Sequence, residues 1–246
     1  MGQFLYGIFQ IVVGWFATLG TCATSIVLNI LTLGQGYRRL NPWILRHWGS
    51  FMLRLSRVKI QVEGLEHINA PGASVILFNH ASLLDLFVCT SMMPRRGVAV
   101  MKKEFSYFPI MGQALHLYRF VFLDRGDSDR ARNTMTRLTE RVHREGIKMW
   151  MAPEGTRARS DEMLPFRMGA FHVALNTRAP LVPCVIYGAR KIHPYGDWST
   201  RPGNLWVRIL PPISTEHLTR ENLRDEADTI RNLYLKILEE MAETYG

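Results

Sequence analysis

No carboxylate appears in this 246-residue chain before Glu63. Within that stretch Phe4–Leu33 carries no charge of either sign. Arg38, Arg39, Arg46, Arg54, Arg57 and Lys59 follow it, and these six cations supply most of the formal net charge of +9. A basic chain invites a nucleic-acid reading. Here the charge adjoins the most apolar part of the sequence and no nucleic-acid-binding motif accompanies it, so no nucleic-acid partner is expected. Anionic lipid at a membrane surface accounts better for the pairing.

Cysteine is scarce as well. Cys22, Cys89 and Cys184 lie far apart, with no CxxC pair and no Cys/His cluster. That excludes a readable disulfide framework or zinc site, and it fits a reducing, cytoplasm-facing compartment. No metal is expected. Hydrophobic residues at 47% against charged residues at 21% exclude disorder as the default. The mean hydropathy of -0.03 is too low for a multi-span membrane protein and fits a globular domain with a limited membrane segment.

The uncharged run Phe4–Leu33 would extend about 45 Å as a helix, against a hydrocarbon core of about 30 Å. One tilted span, one broken span and a hairpin are all open. Gly14, Gly20 and the polar patch Thr21–Ser25 are the weak points. No Lys or Arg precedes the run, which is too long for a signal-peptide core, so a secretory signal is not expected. Tyr6 departs from the myristoylation pattern. The basic residues on the C-terminal side predict a cytoplasm-facing membrane, such as a cell inner membrane, with the following domain on the cytoplasmic side. Residues 42–57 read as a second helix, with Trp43, Ile44, Trp48, Phe51, Met52 and Leu55 at three- and four-residue steps. This helix suits a bilayer interface or the core of the following domain.

From Val58 the pattern changes to short β-rich runs alternating with helical stretches. Strands are predicted at Val58–Val62, Ser74–Phe78, Val98–Met101, Phe120–Leu123, Ile147–Met151, Leu181–Tyr187 and Leu205–Leu210. Helices are predicted near 83–93, 129–145, 168–178 and from Arg220 to Thr244. The alternation predicts an α/β domain with a mixed, mainly parallel sheet flanked by helices, over residues 58–246. Residues 1–57 form an N-terminal membrane-anchoring helical segment before it.

In open α/β sheets the loops after the strands build the site. Three of those loops carry chemistry. Ser74–Phe78 runs into Asn79-His80-Ala81-Ser82-Leu83-Leu84-Asp85. His80 is a candidate base and Asp85 a candidate orienter of its imidazole. Ser82-Leu83-Leu84-Asp85 is also a capping-box pattern, so helix capping is the competing account of Asp85, and capping accounts for Ser82. Phe122-Leu123-Asp124-Arg125-Gly126 offers a guanidinium and close backbone approach for a phosphate, or a plain turn. Met151-Ala152-Pro153-Glu154-Gly155-Thr156-Arg157 places a carboxylate beside guanidinium groups, which is costly unless they pair or meet a ligand.

In this order, the blocks resemble the glycerolipid acyltransferases of the lysophosphatidate acyltransferase type. That family carries an NHxxxxD block (here Asn79–Asp85), an F-x-x-R block (Phe122–Arg125), an EGTR block (Glu154–Arg157) and a late Pro-containing strand (Leu181–Val185). Met101-Lys102-Lys103-Glu104-Phe105 and Phe166-Arg167-Met168-Gly169-Ala170 are also similar, although the family usually has Lys where this chain has Arg167. The resemblance implies transfer of a fatty acyl group from an acyl thioester to the free hydroxyl of lysophosphatidic acid. Another lyso-lipid, such as a lyso-ornithine lipid or a lysophospholipid in remodelling, is the alternative acceptor. His80 and Asp85 would be catalytic. Lys102, Arg125, Glu154, Gly155, Thr156 and Arg157 would bind substrate, with Arg125, Arg157 and Lys102 on the phosphate. The implied partners are membrane lipids and either acyl carrier protein or coenzyme A as thioester. No further cofactor is implied. Phe105–Met111 reads either as a further lipid contact or as core.

Overall fold

A computed structural model describes residues 2–35, 40–160 and 162–246. Arg38 and Arg39 of the basic cluster lie outside them. The described chain runs α1 (Gly2–Leu31), α2 (Leu40–Leu55), β1 (Val58–Glu63), α3 (Leu65–Asn69), β2 (Ser74–Phe78), α4 (Leu84–Ser91) and β3 (Gly97–Lys102). It continues through a 3-10 turn (Lys103–Tyr107), α5 (Met111–Leu117), β4 (Val121–Leu123), α6 (Ser128–Glu145) and β5 (Lys148–Met151). It ends with α7 (Gly169–Thr177), β6 (Leu181–Tyr187), α8 (Ala189–Ile192), β7 (Gly203–Ile209) and α9 (Leu223–Tyr245).

The seven strands form one sheet in the order β1-β7-β6-β2-β5-β3-β4. Every neighbouring pair is parallel except β6 with β7. This is the mixed, mainly parallel sheet expected from the alternation. β2 and β6 sit centrally and are apolar on both faces, as strands buried between helical layers require. Ile76, Trp150 and Val182 face α2, α4 and α5, while Val75, Leu77 and Met149 face α6, α7 and α9. The parallel strands β2, β3, β4 and β5 end on the same sheet edge, which is therefore where their loops can meet.

Helix α6 shows why its limits were readable. The Asp127 carboxylate accepts from the Asp129 and Arg130 N–H groups, and Gly146 ends the helix in the left-handed region with φ 61°.

Helix α1 is continuous through every expected weak point. The Thr18 hydroxyl donates to Gly14 O and the Ser25 hydroxyl to Thr21 O, so both turn back on the helix's own carbonyls. Its amphipathicity is inverted. Phe4, Phe9, Trp15, Phe16, Ile30 and Leu31 are exposed, Phe16 at 73%. Gln10, Cys22, Ser25 and Asn29 face the protein. The inward polar groups are partnered: Gln10 with Thr200 and Leu55 O, Ser25 with Tyr118, and Asn29 with Asn41. By length and composition, Gln3–Leu31 is long and apolar enough to cross a membrane.

Helix α2 divides between its two readings. Ile44, Leu45, Gly49 and Leu53 are buried, and a Cβ at Gly49 would lie 2.5 Å from Ser91 N, so α2 and α4 pack nearly backbone to backbone. Trp43 and Phe51 stay exposed. The Phe105–Met111 stretch is not core: Tyr107, Phe108 and Ile110 are exposed, and Phe105 lines a cavity described below.

Candidate active site

The end of β2 is fixed before its histidine arrives. Asn79 Nδ2 donates to Ile186 O at 2.9 Å, and Ile186 N donates to Asn79 Oδ1 at 2.8 Å, clamping β2 to β6. His80 is then held through its own backbone by the loop after β5. His80 N donates to Glu154 Oε1 at 2.7 Å, and Ala158 N donates to His80 O at 3.1 Å. Glu154 Oε2 also accepts from Leu164 N at 3.1 Å. Burial pushes the Glu154 carboxyl above its ordinary value, opposed by these two N–H groups. Glu154 is thus turned toward backbone and joins the two signature loops.

The His80 imidazole meets Asp85, with Nδ1 3.0 Å from Oδ2. Asp85 is fully buried, and the same oxygen accepts from Ala81 N and Ser82 N at 2.8 Å each. An oxygen already accepting two N–H bonds presents a lone pair to His80. The ring hydrogen therefore sits on Nδ1 and leaves Nε2 able to accept a proton. About a quarter of the His80 side chain is exposed, so a substrate can reach it. The helix-cap reading is half present. Asp85 reaches back to Ser82 N as in a capping box, but the Ser82 hydroxyl does not return a bond to Asp85 N. It donates to His193 O at 2.9 Å, lies 3.3 Å from His193 Nδ1, and accepts from Leu84 N at 3.3 Å.

Beside this pair stand cations. The Arg125 guanidinium donates to Gly155 O. Burial and then the neighbouring Arg167 guanidinium lower its proton affinity, with Glu104 opposing. Two guanidinium groups that both meet Gly155 and repel each other suit an anionic guest. Gly155 is required where it stands: its φ is 74°, and a Cβ would lie 2.7 Å from Arg167 Cδ and Nε. Arg157 is half-buried with its guanidinium carbon 5.4 Å from the Tyr195 ring. Thr156 is exposed. Lys102 is exposed at the end of β3 with no hydrogen bond or ion pair among the described residues, whereas Lys103 pairs with Asp124 at 2.6 Å.

An apolar cavity, open to solvent on one side, lies between α1, α2, α4 and α5, lined by Cys22, Trp48, Leu86, Met101, Phe105 and Tyr118 among others. Met101 and Leu86 belong to the elements that carry Lys102 and Asp85, so the cavity approaches the site from the α1 side.

A family profile described as Acyltransferase matches residues 59–187, over half of the chain. The human 1-acyl-sn-glycerol-3-phosphate acyltransferase alpha is 31% identical over 229 residues, covering 93% of this chain and 79% of that protein. The yeast 1-acyl-sn-glycerol-3-phosphate acyltransferase is 31% identical over 246 residues, covering 98% and 80%. This chain belongs to the acyltransferase family. The acyltransferase also shares its fold with a crystal structure of the 1-acyl-sn-glycerophosphate (LPA) acyltransferase, PlsC, from Thermotoga maritima. That match has a TM-score of 0.72 at 21% identity and covers 95% of this chain and 98% of that one.

Two residues that brace the candidate site of the acyltransferase escaped the sequence reading. Arg190 donates to Ala158 O at 3.2 Å and also to the carbonyls of Arg159 and Ser160, holding the loop after Arg157. His193 is buried against Ser82. Both lie after β6 in Ala189-Arg190-Lys191-Ile192-His193-Pro194-Tyr195, whose only sequence signal was a turn rich in charge and aromatics.

Proposed function

We propose that this acyltransferase moves a fatty acyl group from an acyl thioester to the free hydroxyl of 1-acylglycerol-3-phosphate, giving phosphatidic acid. The observation that carries the proposal is the buried Asp85 behind a reachable His80, beside the Arg125 and Arg167 pair. The names of the human and yeast relatives point to the same acceptor.

His80 Nε2 takes the acceptor's hydroxyl proton as that oxygen attacks the thioester carbonyl. The new C–O bond forms, the C–S bond breaks, and the imidazolium returns its proton to the leaving thiolate. Asp85 fixes the tautomer throughout and stabilises the cationic ring. Arg125 and Arg167, with Arg157 and Lys102 on the same sheet edge, receive the phosphate monoester. Glu154 and Gly155 keep that edge in shape, and Thr156 borders it. The donor is acyl carrier protein or coenzyme A thioester. The apolar cavity accepts an acyl chain. Residues 1–57 seat the enzyme on a cytoplasm-facing membrane, with the exposed apolar face of α1 in the lipid.

The test is the purified protein in detergent, given lysophosphatidate with each donor and, separately, a phosphate-free lyso-lipid. The expected product is phosphatidic acid, with almost none from His80→Ala. Turnover of the phosphate-free lipid alone would reject the acceptor. Full activity in His80→Ala would reject the mechanism.

A further inference from the structure

The segment after α8 touches two parts of the molecule that otherwise have separate tasks. On one side it meets the catalytic loops. The buried His193 accepts the Ser82 hydroxyl on its carbonyl at 2.9 Å and sets its ring 3.3 Å from the same oxygen. Ser82 N in turn donates to Asp85 Oδ2 at 2.8 Å, and that oxygen holds His80. The Tyr195 ring lies 5.4 Å from the guanidinium carbons of both Arg157 and Arg159.

On its other side the segment meets α1. The Trp198 and Phe4 rings pack edge to face with centroids 5.2 Å apart. Trp198 lies so close to the helix that a Cβ at Gly7 would be 2.6 Å from its ring. Gln10 and Thr200 bond twice: Gln10 Nε2 donates to Thr200 Oγ1 at 2.7 Å, and Thr200 N donates to Gln10 Oε1 at 3.3 Å. Gln10 is nearly buried, and it is the one side-chain amide between Phe4 and Leu28. An amide in such a run fixes register, because only one rotation and translation of α1 satisfies it.

The strap itself is short and braced. Arg201 N donates to Ile192 O at 2.9 Å, and Asp197 N donates to Pro194 O at 3.3 Å, so the eight residues His193–Thr200 form a closed loop rather than a slack connection. A displacement at Trp198 therefore has little slack in which to dissipate before His193.

We propose that His193–Thr200 is a positioning strap, through which the seating of α1 sets the geometry of the His80–Asp85 pair and of Arg157. Trp198 and Thr200 are its membrane-helix end, and His193 and Tyr195 are its catalytic end. They touch no reacting atom and act through Ser82, Asp85 and Arg157. The proposal rests on the His80–Asp85 mechanism above, and on acyl transfer to whichever lyso-lipid the wild type uses.

The test is a double-mutant cycle on the full chain in phospholipid vesicles, using the acceptor the wild type turns over. Trp198→Ala is expected to lower kcat on the order of tenfold, the scale of a sub-ångström misplacement of catalytic groups, with both KM values within about threefold. Trp198→Phe, which keeps a ring on Phe4, restores most of the rate. Ser82→Ala lowers kcat by itself, and adding Trp198→Ala to it costs little more, because both break the same connection. A packing role unrelated to the site would instead give losses that multiply. If Trp198→Ala does not fold, Thr200→Val replaces it, keeping the shape while removing the hydroxyl that Gln10 bonds. Wild-type kcat in the folded variant, or multiplying losses in the cycle, overturns the strap. An inactive His80→Ala alongside either result leaves the mechanism standing, while an active one removes the mechanism first.

Discussion

Replacing Asp85 by Asn separates the two tasks that the sequence left in competition at this residue. The carboxylate is fully buried, and one oxygen accepts from His80 Nδ1 at 3.0 Å and from Ala81 N and Ser82 N at 2.8 Å. An amide oxygen can occupy that position and keep all three bonds, so the turn into α4 survives. The amide NH₂ then falls where Asp85 Oδ1 sits, an atom with no hydrogen-bond partner. An unsatisfied buried donor costs about 1–3 kcal/mol, partly offset because no charge is buried. What the variant loses is the anion beside the imidazolium formed during proton transfer. At a 3.0 Å separation and an effective dielectric of about 20, that interaction is about 5.5 kcal/mol. His80 is 27% exposed, and solvent screening reduces the figure. We therefore expect kcat to fall on the order of 10²- to 10³-fold, about 3–4 kcal/mol at the barrier, with substrate KM values little changed. Initial rates of thiol release from an acyl thioester read this directly, with a thermal melt as the control for folding. A folded variant within threefold of the wild-type rate would show that Asp85 only shapes the turn.

Three further outcomes test other parts of the site. Arg125→Ala should raise the acceptor KM tenfold or more and leave the donor KM nearly unchanged, measured by varying each substrate in turn; equal effects on both would remove it from the phosphate site. Gly155→Ala places a Cβ 2.7 Å from Arg167 at a φ of 74°, so melting should fall by several degrees, about 1–3 kcal/mol, with weaker acceptor use; an unchanged melt would contradict the crowding. His193 is held below its ordinary value by burial and then by Arg157. Its native form therefore stays neutral while the unfolded form protonates near pH 6.5, so the stability it contributes is present above that pH and lost as pH falls through the depressed value. Melting temperature should drop as pH falls below about 6.5, and His193→Gln should flatten that part of the profile; a parallel profile in the variant would count against the assignment.

The parts of the fold that were legible share one cause. Ser74–Phe78 and Leu181–Tyr187 are continuous apolar runs because they lie between two helical layers, and such burial is written in composition. Helix α6 showed its face through Leu138 and Val142 and its stop through Gly146, while the Asp127 cap at its start emerged only in the structure. The site was legible where a strand ended on chemistry, at His80, Arg125 and Glu154. What stayed hidden was each group's direction. Glu154 looked like a pocket carboxylate, yet both its oxygens face backbone N–H groups of residues 74 and 10 positions away. The roles of Arg190 and His193 stayed hidden too, because their partners at Ala158 and Ser82 are distant in sequence and are brought near only by the β6 to β2 pairing. The continuity of α1 was equally unreadable. Whether Thr18 and Ser25 break a helix or bond back to it depends on the rotamer, not on the residue type.

Helix α1 brings these threads together. Its length alone would permit a span. But Tyr6 and Gln10 near its start bond Leu55 O, Ser25 bonds Tyr118, and Asn29 near its end bonds Asn41. A helix fastened at its start and end to α2, and in between to Tyr118 of the domain that carries His80, could cross a bilayer only by drawing these partners in with it. It can lie along one leaflet, its exposed Phe, Trp and Ile side chains in the acyl region and its polar flank against protein. That placement brings the apolar cavity, whose wall includes Cys22 of α1, to the depth at which a membrane lipid keeps its chains. The acceptor's hydroxyl and phosphate would then meet His80 and Arg125 at the level of the headgroups. The inverted amphipathicity of α1 leaves an apolar face exposed beside an otherwise ordinary α/β core, and under the proposed function that face would meet the lipid that holds the acceptor.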